Sequence, residues 1–402
     1  MDINLLTLPE GDRTTLALPA PGEWPATVAA NRALSRSAPL GSITVADLIA
    51  SARARAVLDA ASYTRSLGLS IPSPLSLGGA VVATGHQPYP FHPGVAVKAP
   101  LVARLAQKIG GIPLFITVDS DDFRHDHLPL PAIVDGRLIR EEIPFLPKGG
   151  APLYERGERE PWERTVDRVA AIRQGMASRP RFAAMVPPLD LYIERLRALA
   201  PPADPTPAAR AILLRRGWES DIAGPLLELP VSLLSTHDTF LHFAAHLIGE
   251  IERFAPLYNG ELARYRRERK LRYPVNPFPD LKGDDTRRET PFWLLTDAGR
   301  EPLYVDRQGR LCAGAKGEAI GDLAALREGG LAIRPKAIPL SIYLRLFVSD
   351  FFIHGVGGAK YDTITDPVIA RFYGVEPPTY GCVTATLHAP MEAPADPSVK
   401  RA

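Results

Sequence analysis

The sequence predicts an α/β fold built on a parallel sheet, and three features carry the prediction. The first is the stretch 81–127, where two apolar runs, Val81–Thr84 and Ile112–Val118, flank a helical one. Between them Val97, Leu101, Val102, Leu105 and Ile109 recur at helical spacing, and Gly110-Gly111 closes the run as a C-terminal glycine does. Strand, crossover helix and second buried strand make a βαβ unit, whose ligand crevice opens at the carboxyl ends of its strands. The second feature is the helical patterning that fills much of 160–217 and 239–271. The third is a meander over 291–314, whose three strand-like runs are separated by Asp297-Ala298-Gly299 and Asp306-Arg307-Gln308-Gly309.

Bulk composition fits that class. With 402 residues, 46% hydrophobic and 23% charged, the chain is long enough for one large or two to three ordinary domains. A net charge of +2 is too small to argue for nucleic acid or an anionic membrane. Cys312 and Cys382 offer neither zinc spacing nor a bridge framework, so a reducing, cytoplasmic setting is expected. The first residues carry no basic region and no long apolar run, so no signal peptide is read there. No stretch approaches the ~18 apolar residues of a membrane span.

In chain order, residues 1–40 show little periodicity and are expected to wrap the surface. Thr44 with Asp47 makes a capping-box-like start for a helix with the face Val45, Leu48, Ile49, Ala52 and Ala56. After the βαβ unit, Ala132–Phe145 reads as a hairpin about Asp135-Gly136, closed by Lys148-Gly149-Gly150. Trp162–Met176, Leu189–Ala198 and Ala208–Arg215 read as three helices between proline-rich breaks. Pro225–Leu234 reads as a short buried strand. Helices are expected over Thr239–Phe254, Glu261–Leu271 and Ile320–Arg327. Asp366-Pro367 reads as the start of a short helix that ends at Gly374, and Tyr380–Leu387 as the last strand. The expected organisation is an N-terminal part of the core over 1–150, a helical insertion over 151–230 and a C-terminal part over 231–390. That last part completes the core and holds the meander, at about 275–315, and 391–402 is a loose tail.

Three stretches carry candidate chemistry. In Thr84-Gly85-His86-Gln87 and on to His92-Pro93-Gly94, two histidines precede a helix start. Backbone N–H groups there attract phosphate or carboxylate, imidazoles can donate to it, and Lys98 lies one turn further in. A structural loop beside a surface lysine fits the same residues. The loop 119–127 gathers Asp119, Asp121, Asp122 and Asp126 with His125 and His127. It suits a divalent metal, acid–base chemistry by carboxylates of split pKa, or a solvated turn. Gly355-Val356-Gly357-Gly358 with Lys360, behind His354, looks like a phosphate cradle but matches neither GxxxxGK[ST] nor GxGxxG, and a tight turn fits as well. His242 and His246 share a helix face, yet the glutamate of a zincin is Phe243 here, so they read as ordinary helix histidines.

These stretches together resemble the bacillithiol biosynthesis cysteine-adding enzyme family. There a strand ends in a T-G-Q-Q loop with a Phe/Gly/Pro continuation and a lysine in the next helix. Here Thr84-Gly85-His86-Gln87 is followed by Phe91, Pro93-Gly94 and Lys98. The family's next strand and its acidic loop look like Ile112-Pro113 through Ser120-Asp121-Asp122-Phe123. Its R-P, its G-G-P-G-E-I-x-Y-W and its F-G-x-x-P-P look like Arg334-Pro335, Gly355–Tyr361 and Tyr373-Gly374 to Pro377-Pro378. The patches keep the family's order and cover about half the chain. His86, Ala359-Lys360 and Asp362-Thr363 depart from the pattern. The helical arm by which that family dimerises has no heptad counterpart here, which leaves the oligomeric state open.

The resemblance implies a Rossmann-like core with connecting-peptide insertions and the condensation of an amino acid's carboxyl group with an amino sugar. The resulting expectation is a Rossmann-like parallel sheet core with a helical insertion and a small β meander, acting as a C–N bond-forming, ligase-like enzyme. His86, His92, Asp121 and Asp122 are the expected catalytic residues. Thr84, Gly85, Gln87, Lys98, His125, His354, Gly357, Gly358, Lys360 and Tyr361 are the expected binding residues. ATP or another nucleotide is the expected cofactor, with a divalent metal left open. The expected partner is a small molecule, not nucleic acid or membrane. Two alternatives stand beside this: a metal-dependent hydrolase using His86, Asp121, His125 and His127, and a non-catalytic small-molecule binding protein.

Overall fold

A computed structural model describes residues 8–88, 92–121, 153–157, 161–273, 277–297 and 299–388, and the backbone of 127–134 and 137–144. The N-terminal half runs β1 (Thr14–Leu18), α1 (Trp24–Ala33), β2 (Pro39–Leu40), β3 (Ile43–Thr44), α2 (Val45–Ser66), β4 (Val81–His86), α3 (Pro93–Ala96), α4 (Lys98–Ile109) and β5 (Ile112–Thr117). The hairpin β6 (His127–Val134) and β7 (Arg137–Pro144) follows, then α5 (Trp162–Ala177), a 3-10 turn at Pro180–Met185, α6 (Val186–Ala198) and α7 (Pro207–Ala223). Next come β8 (Leu227–Pro230), α8 (Val231–Leu234), α9 (Asp238–Gly249) and α10 (Ile251–Glu268). The remainder is β9 (Arg287–Thr296), β10 (Gly299–Asp306), β11 (Leu311–Ala313), β12 (Ala319–Gly321), α11 (Leu323–Glu328), β13 (Ala332–Pro335), α12 (Ala337–Tyr343), a π turn, β14 (Phe351–His354), α13 (Val356–Tyr373) and β15 (Gly381–Thr386).

The main sheet has the order β1-β15-β14-β4-β5-β8, parallel throughout except for β1 at the edge. Its strands alternate between two apolar layers, as strands covered on both faces must. Val81, Ala83, Leu114, Ile116 and Phe352 face α2, α9 and α13, whereas Val82, Phe115, Phe351 and Ile353 face α1 and α4. This is the expected Rossmann-like α/β fold. In chain order the parallel strands are β4, β5, β8, β14 and β15, so the sheet grows outward from β4 to β8, then resumes on the other side at β14. The order therefore reverses between β4 and β14.

Local chemistry explains the individual elements. Thr44 and Asp47 form the capping box of α2, as expected, and Gly110 takes a left-handed φ of 62° to end α4. The helices α5, α6 and α7 bury Trp162, Val166, Tyr192, Leu196 and Leu213 against one another. The meander forms and is larger than expected: β9–β13 make a five-stranded antiparallel sheet in the order β12-β11-β10-β9-β13.

Four expectations give way. Of residues 1–40, those described, 8–40, do not merely wrap the surface: β1 pairs with β15, and α1 buries Trp24 and Val28. Elements this short show no period, and their partners lie at the far end of the chain. The helix expected to begin at Asp366 begins at Val356 and carries Pro367 inside it. The missing proline N–H is outweighed by the face formed by Ile364 and Val368 in the core, with Asp362 and Asp366 both paired to Arg345. The strand read over Pro225–Leu234 stops at Pro230, where the Asp119 carboxylate takes the Ser232 N–H and a helical turn follows. The helix read over Thr239–Phe254 breaks at Glu250 between α9 and α10.

Candidate functional site at the reversal of strand order

A doubly wound sheet leaves a crevice where its strand order reverses, because the crossovers on the two sides leave on opposite faces. Here that point lies between β4 and β14. Ile353 and Thr84 are the last pair in register, so His354 and Gly85 follow where the two strands part. Thr84 does not reach the crevice; its Oγ1 donates to the Ile353 carbonyl at 2.7 Å and stitches the two strands together.

On the β14 wall the His354 ring is held against Asp362. Its Nε2 lies 2.7 Å from Asp362 Oδ2, and Asp362 also accepts from Arg345 Nη1 at 2.9 Å and Ser341 Oγ at 2.5 Å. Arg345 further donates to Asp366 Oδ1 at 2.7 Å and to the Pro378 carbonyl, with its guanidinium 4.6 Å from the Tyr380 ring. Burial alone would raise the Asp362 carboxyl. The neighbouring His354 and Arg345 outweigh burial and hold it below the ordinary carboxylate range. A Cβ at Gly358 would sit 2.7 Å from His354 Nδ1, so glycine lets the ring lie against the first turn of α13. Gly355 caps that helix without a side chain, and Gly357 is exposed with open space around it. The first-turn N–H groups of such a helix favour an anion.

The β4 wall is arranged otherwise. His86 ends β4 level with Thr117 of β5, its Nδ1 3.4 Å from the Gln87 carbonyl. Gln87 Nε2 donates to Asp121 Oδ2 at 3.1 Å. Arg300, from the antiparallel sheet, donates to Asp121 Oδ1 at 2.8 Å and to the Ser120 carbonyl at 3.1 Å. Lys98 is not a surface lysine: it is 2% exposed and donates through Nζ to the Gly85 carbonyl at 2.6 Å. Gly85 leaves no room for a side chain, since a Cβ would meet the Ile116 carbonyl at 2.9 Å. His92 caps α3, accepting the Gly94 N–H at 3.1 Å through Nδ1, and burial followed by the nearby Lys98 lowers its pKa.

Behind Asp121, the buried Asp119 accepts from the Ser232 N–H at 2.9 Å and the Ser232 hydroxyl at 2.5 Å. Burial and the neighbouring Glu155 push its carboxyl up to about 6, against the pull of Ser232 and Arg334. Glu155 in turn pairs with Arg334 at 2.9 Å, tying the edge of β5 to the antiparallel sheet.

The strand order thus brings Gly85, His86 and Gln87 opposite His354, Gly357 and Gly358, with Asp121 beside them. Lys360 is half-buried on α13, and Tyr361 turns its ring to Phe278, 5.0 Å away. Asp122, His125 and Phe91 lie outside the described residues, and His127 is placed by backbone alone in β6. Sequence patterning missed Asp362, Arg345, Arg300 and Glu155. Only the i,i+4 acidic pair Asp362/Asp366 in an otherwise apolar helix hinted at any of them.

Elsewhere, a hollow of about 580 Å³ lies between α9, α10 and the antiparallel sheet, and several of its charges serve their own turns and pairs. Asp284 takes the Thr286 and Arg287 N–H groups, Asp306 those of Gln308 and Arg310, and Arg288 pairs with Glu252. Among the described residues no group of three or more His, Cys, Asp or Glu could hold a metal ion, and no helix is long and apolar enough to cross a membrane. No protein-family model matches the chain, and no curated protein matches it.

Proposed function

We propose that the crevice between β4 and β14 binds the carboxylate or phosphate of a small molecule, and that the protein is a cytoplasmic, C–N bond-forming, ligase-like enzyme. The observation that carries the reading is the strand order, which sets both histidine-bearing loops on either side of one crevice. The resemblance to bacillithiol cysteine-adding enzymes adds the reaction class: an amino acid carboxylate joined to the amine of an amino sugar or similar molecule. Joining them removes an oxygen from the carboxylate, and ATP or another nucleotide would supply the activation.

In this reading the first-turn N–H groups of α13 and Lys360 hold the anionic group. His354 presents Nδ1 to it, while Asp362 keeps the other nitrogen engaged. His86 donates to developing negative charge, and Asp121, steadied by Arg300 and Gln87, orients the amine.

The test is ATP-dependent amide formation across a panel of amino acids and amino sugars, read by mass spectrometry. His86→Ala and His354→Gln should each lower turnover by about 100-fold, the lower end for a positioned acid or base, with unchanged circular dichroism. Unaltered turnover in both would remove these loops from the mechanism. Nucleotide and amino-sugar binding with no turnover would point to the non-catalytic alternative. Stoichiometric zinc or manganese in the purified protein would favour a hydrolase at His86, Asp121, His125 and His127.

A further inference from the structure

Lys98 begins α4 and donates to the Gly85 carbonyl near the end of β4, and the described charges packed around it do not balance. On α7 and β8 the side chains of Arg215, Arg216, Glu219 and Glu228 are buried as one cluster behind it, and Arg210, buried further up α7, donates to the Pro205 carbonyl. Arg215 pairs with Glu219 at 2.6 Å and with Glu228 at 2.5 Å, and its guanidinium covers the Phe115 ring at 3.8 Å. Arg216 Nε stands 3.9 Å from the remaining Glu228 oxygen, and its Nη2 donates to the Gly224 carbonyl. Among the described residues of this cluster, three basic side chains, Lys98, Arg215 and Arg216, therefore stand with two carboxylates.

An excess charge in a low-dielectric interior is costly unless it is paired or neutralised. An arginine cannot give up its proton; a lysine can. Burial, and then Arg215, bring the Lys98 amine down from its ordinary range to about 7, with Glu219 pulling the other way. At the start of α3, burial and then the Lys98 charge disfavour a charge on His92. Across the rim stand His86 at the end of β4 and His354 at the end of β14. The alternative to losing the proton is to add an anion above the lysine, and the crevice rim is the place where one would sit.

We propose that Lys98 is the proton-linked counter-charge of the crevice: when an anionic group seats on the rim formed by Gly85–His86 and Gly355–Gly358, the Lys98 amine takes up one proton from solvent. The inference rests on the anion-site reading given above. Lys98 touches no ligand. It acts through the Gly85 carbonyl and through space, as a positioning residue whose charge follows occupancy.

Two measurements on the full chain test it. In the ligand-free protein labelled at lysine Cε, one carbon signal, assigned by its loss in Lys98→Arg, should titrate near neutral pH. A titration in the ordinary lysine range overturns the inference without touching the anion site. Calorimetry with ATP at pH 8.5, in buffers of differing ionisation enthalpy, should then show uptake of close to one proton. ATP affinity should fall by up to about ten-fold per pH unit above neutrality. Lys98→Arg, which keeps the charge, should bind ATP without that uptake and with a flattened pH profile; uptake persisting there assigns the proton elsewhere and overturns the inference. Binding without uptake by the natural protein also overturns it and leaves the anion site standing. No ATP binding at all overturns both.

Discussion

The two walls of the crevice hold their polar groups by opposite means. On the β14 wall the buried charges are matched: Arg345 pairs with both Asp362 and Asp366, and His354 and Ser341 take up the Asp362 oxygens. On the β4 wall charge is left over around Lys98, and the acidic loop is steadied from outside by Arg300 of the antiparallel sheet. A matched, buried network resists change because removing one member strands the others. A mismatched one is poised to respond to a new charge. The difference teaches that one wall is built to orient and the other to adjust.

Breaking the matched wall should have the largest effect. Asp362→Asn leaves Arg345 buried beside a weaker partner and should cost about 3–5 kcal/mol in urea unfolding. The Asp362 carboxyl is held below its ordinary pKa, so its contribution is present above about pH 4 and is lost as pH falls through the folded value. The variant should therefore also lose part of the protein's acid sensitivity. A loss under 1 kcal/mol would erase the contrast between the walls.

A smaller and oppositely signed effect is expected behind the second wall. Asp119 is raised to about 6 from an ordinary value of 3.8, so its protonated form is favoured in the fold. Its linkage stabilises fully below about pH 4 and fades as pH rises through about 6, on the order of 3 kcal/mol for a shift of this size. Asp119→Asn should flatten the stability profile over that window, as read by thermal melts from pH 3.5 to 7. A profile as steep as the parent's would assign the raised carboxyl elsewhere.

The mildest prediction sharpens the comparison. The Arg300–Asp121 pair is partly exposed, so Arg300→Met should change stability by no more than about 1 kcal/mol. It removes the Arg300 donor from Asp121, whose other oxygen holds Gln87, and should weaken ATP binding by about ten-fold in the same calorimetric assay. Unchanged affinity would make Arg300 a strut between sheets and nothing more.

Much of this architecture was legible in the residues themselves. The βαβ unit, the capping box of α2, the helices after residue 160, the meander and the glycine stop at Gly374 all follow from period, caps and turn residues, which are local. Gly85 and Gly358 were visible as glycines, yet the contacts that require them, Ile116 and His354, were not. Nor could the pattern tell that Lys98 is buried: a lysine one turn into an amphipathic helix looks the same whether solvent or α7 covers it.

The sequence by itself determined which segments become strands and helices over most of the chain, and that two histidine- and glycine-bearing loops follow strands. Only the tertiary structure decided that those loops share a crevice, because that depends on β14, the fourth parallel strand in the chain, pairing with β4, the first. The same holds for the charges. Asp362 meets Arg345 within one stretch of chain, but Lys98 meets Arg215 and Glu219 across more than a hundred residues, and Arg300 reaches Asp121 from another sheet. Local energies follow neighbours along the chain; pairing of strands and balance of buried charge follow neighbours in space.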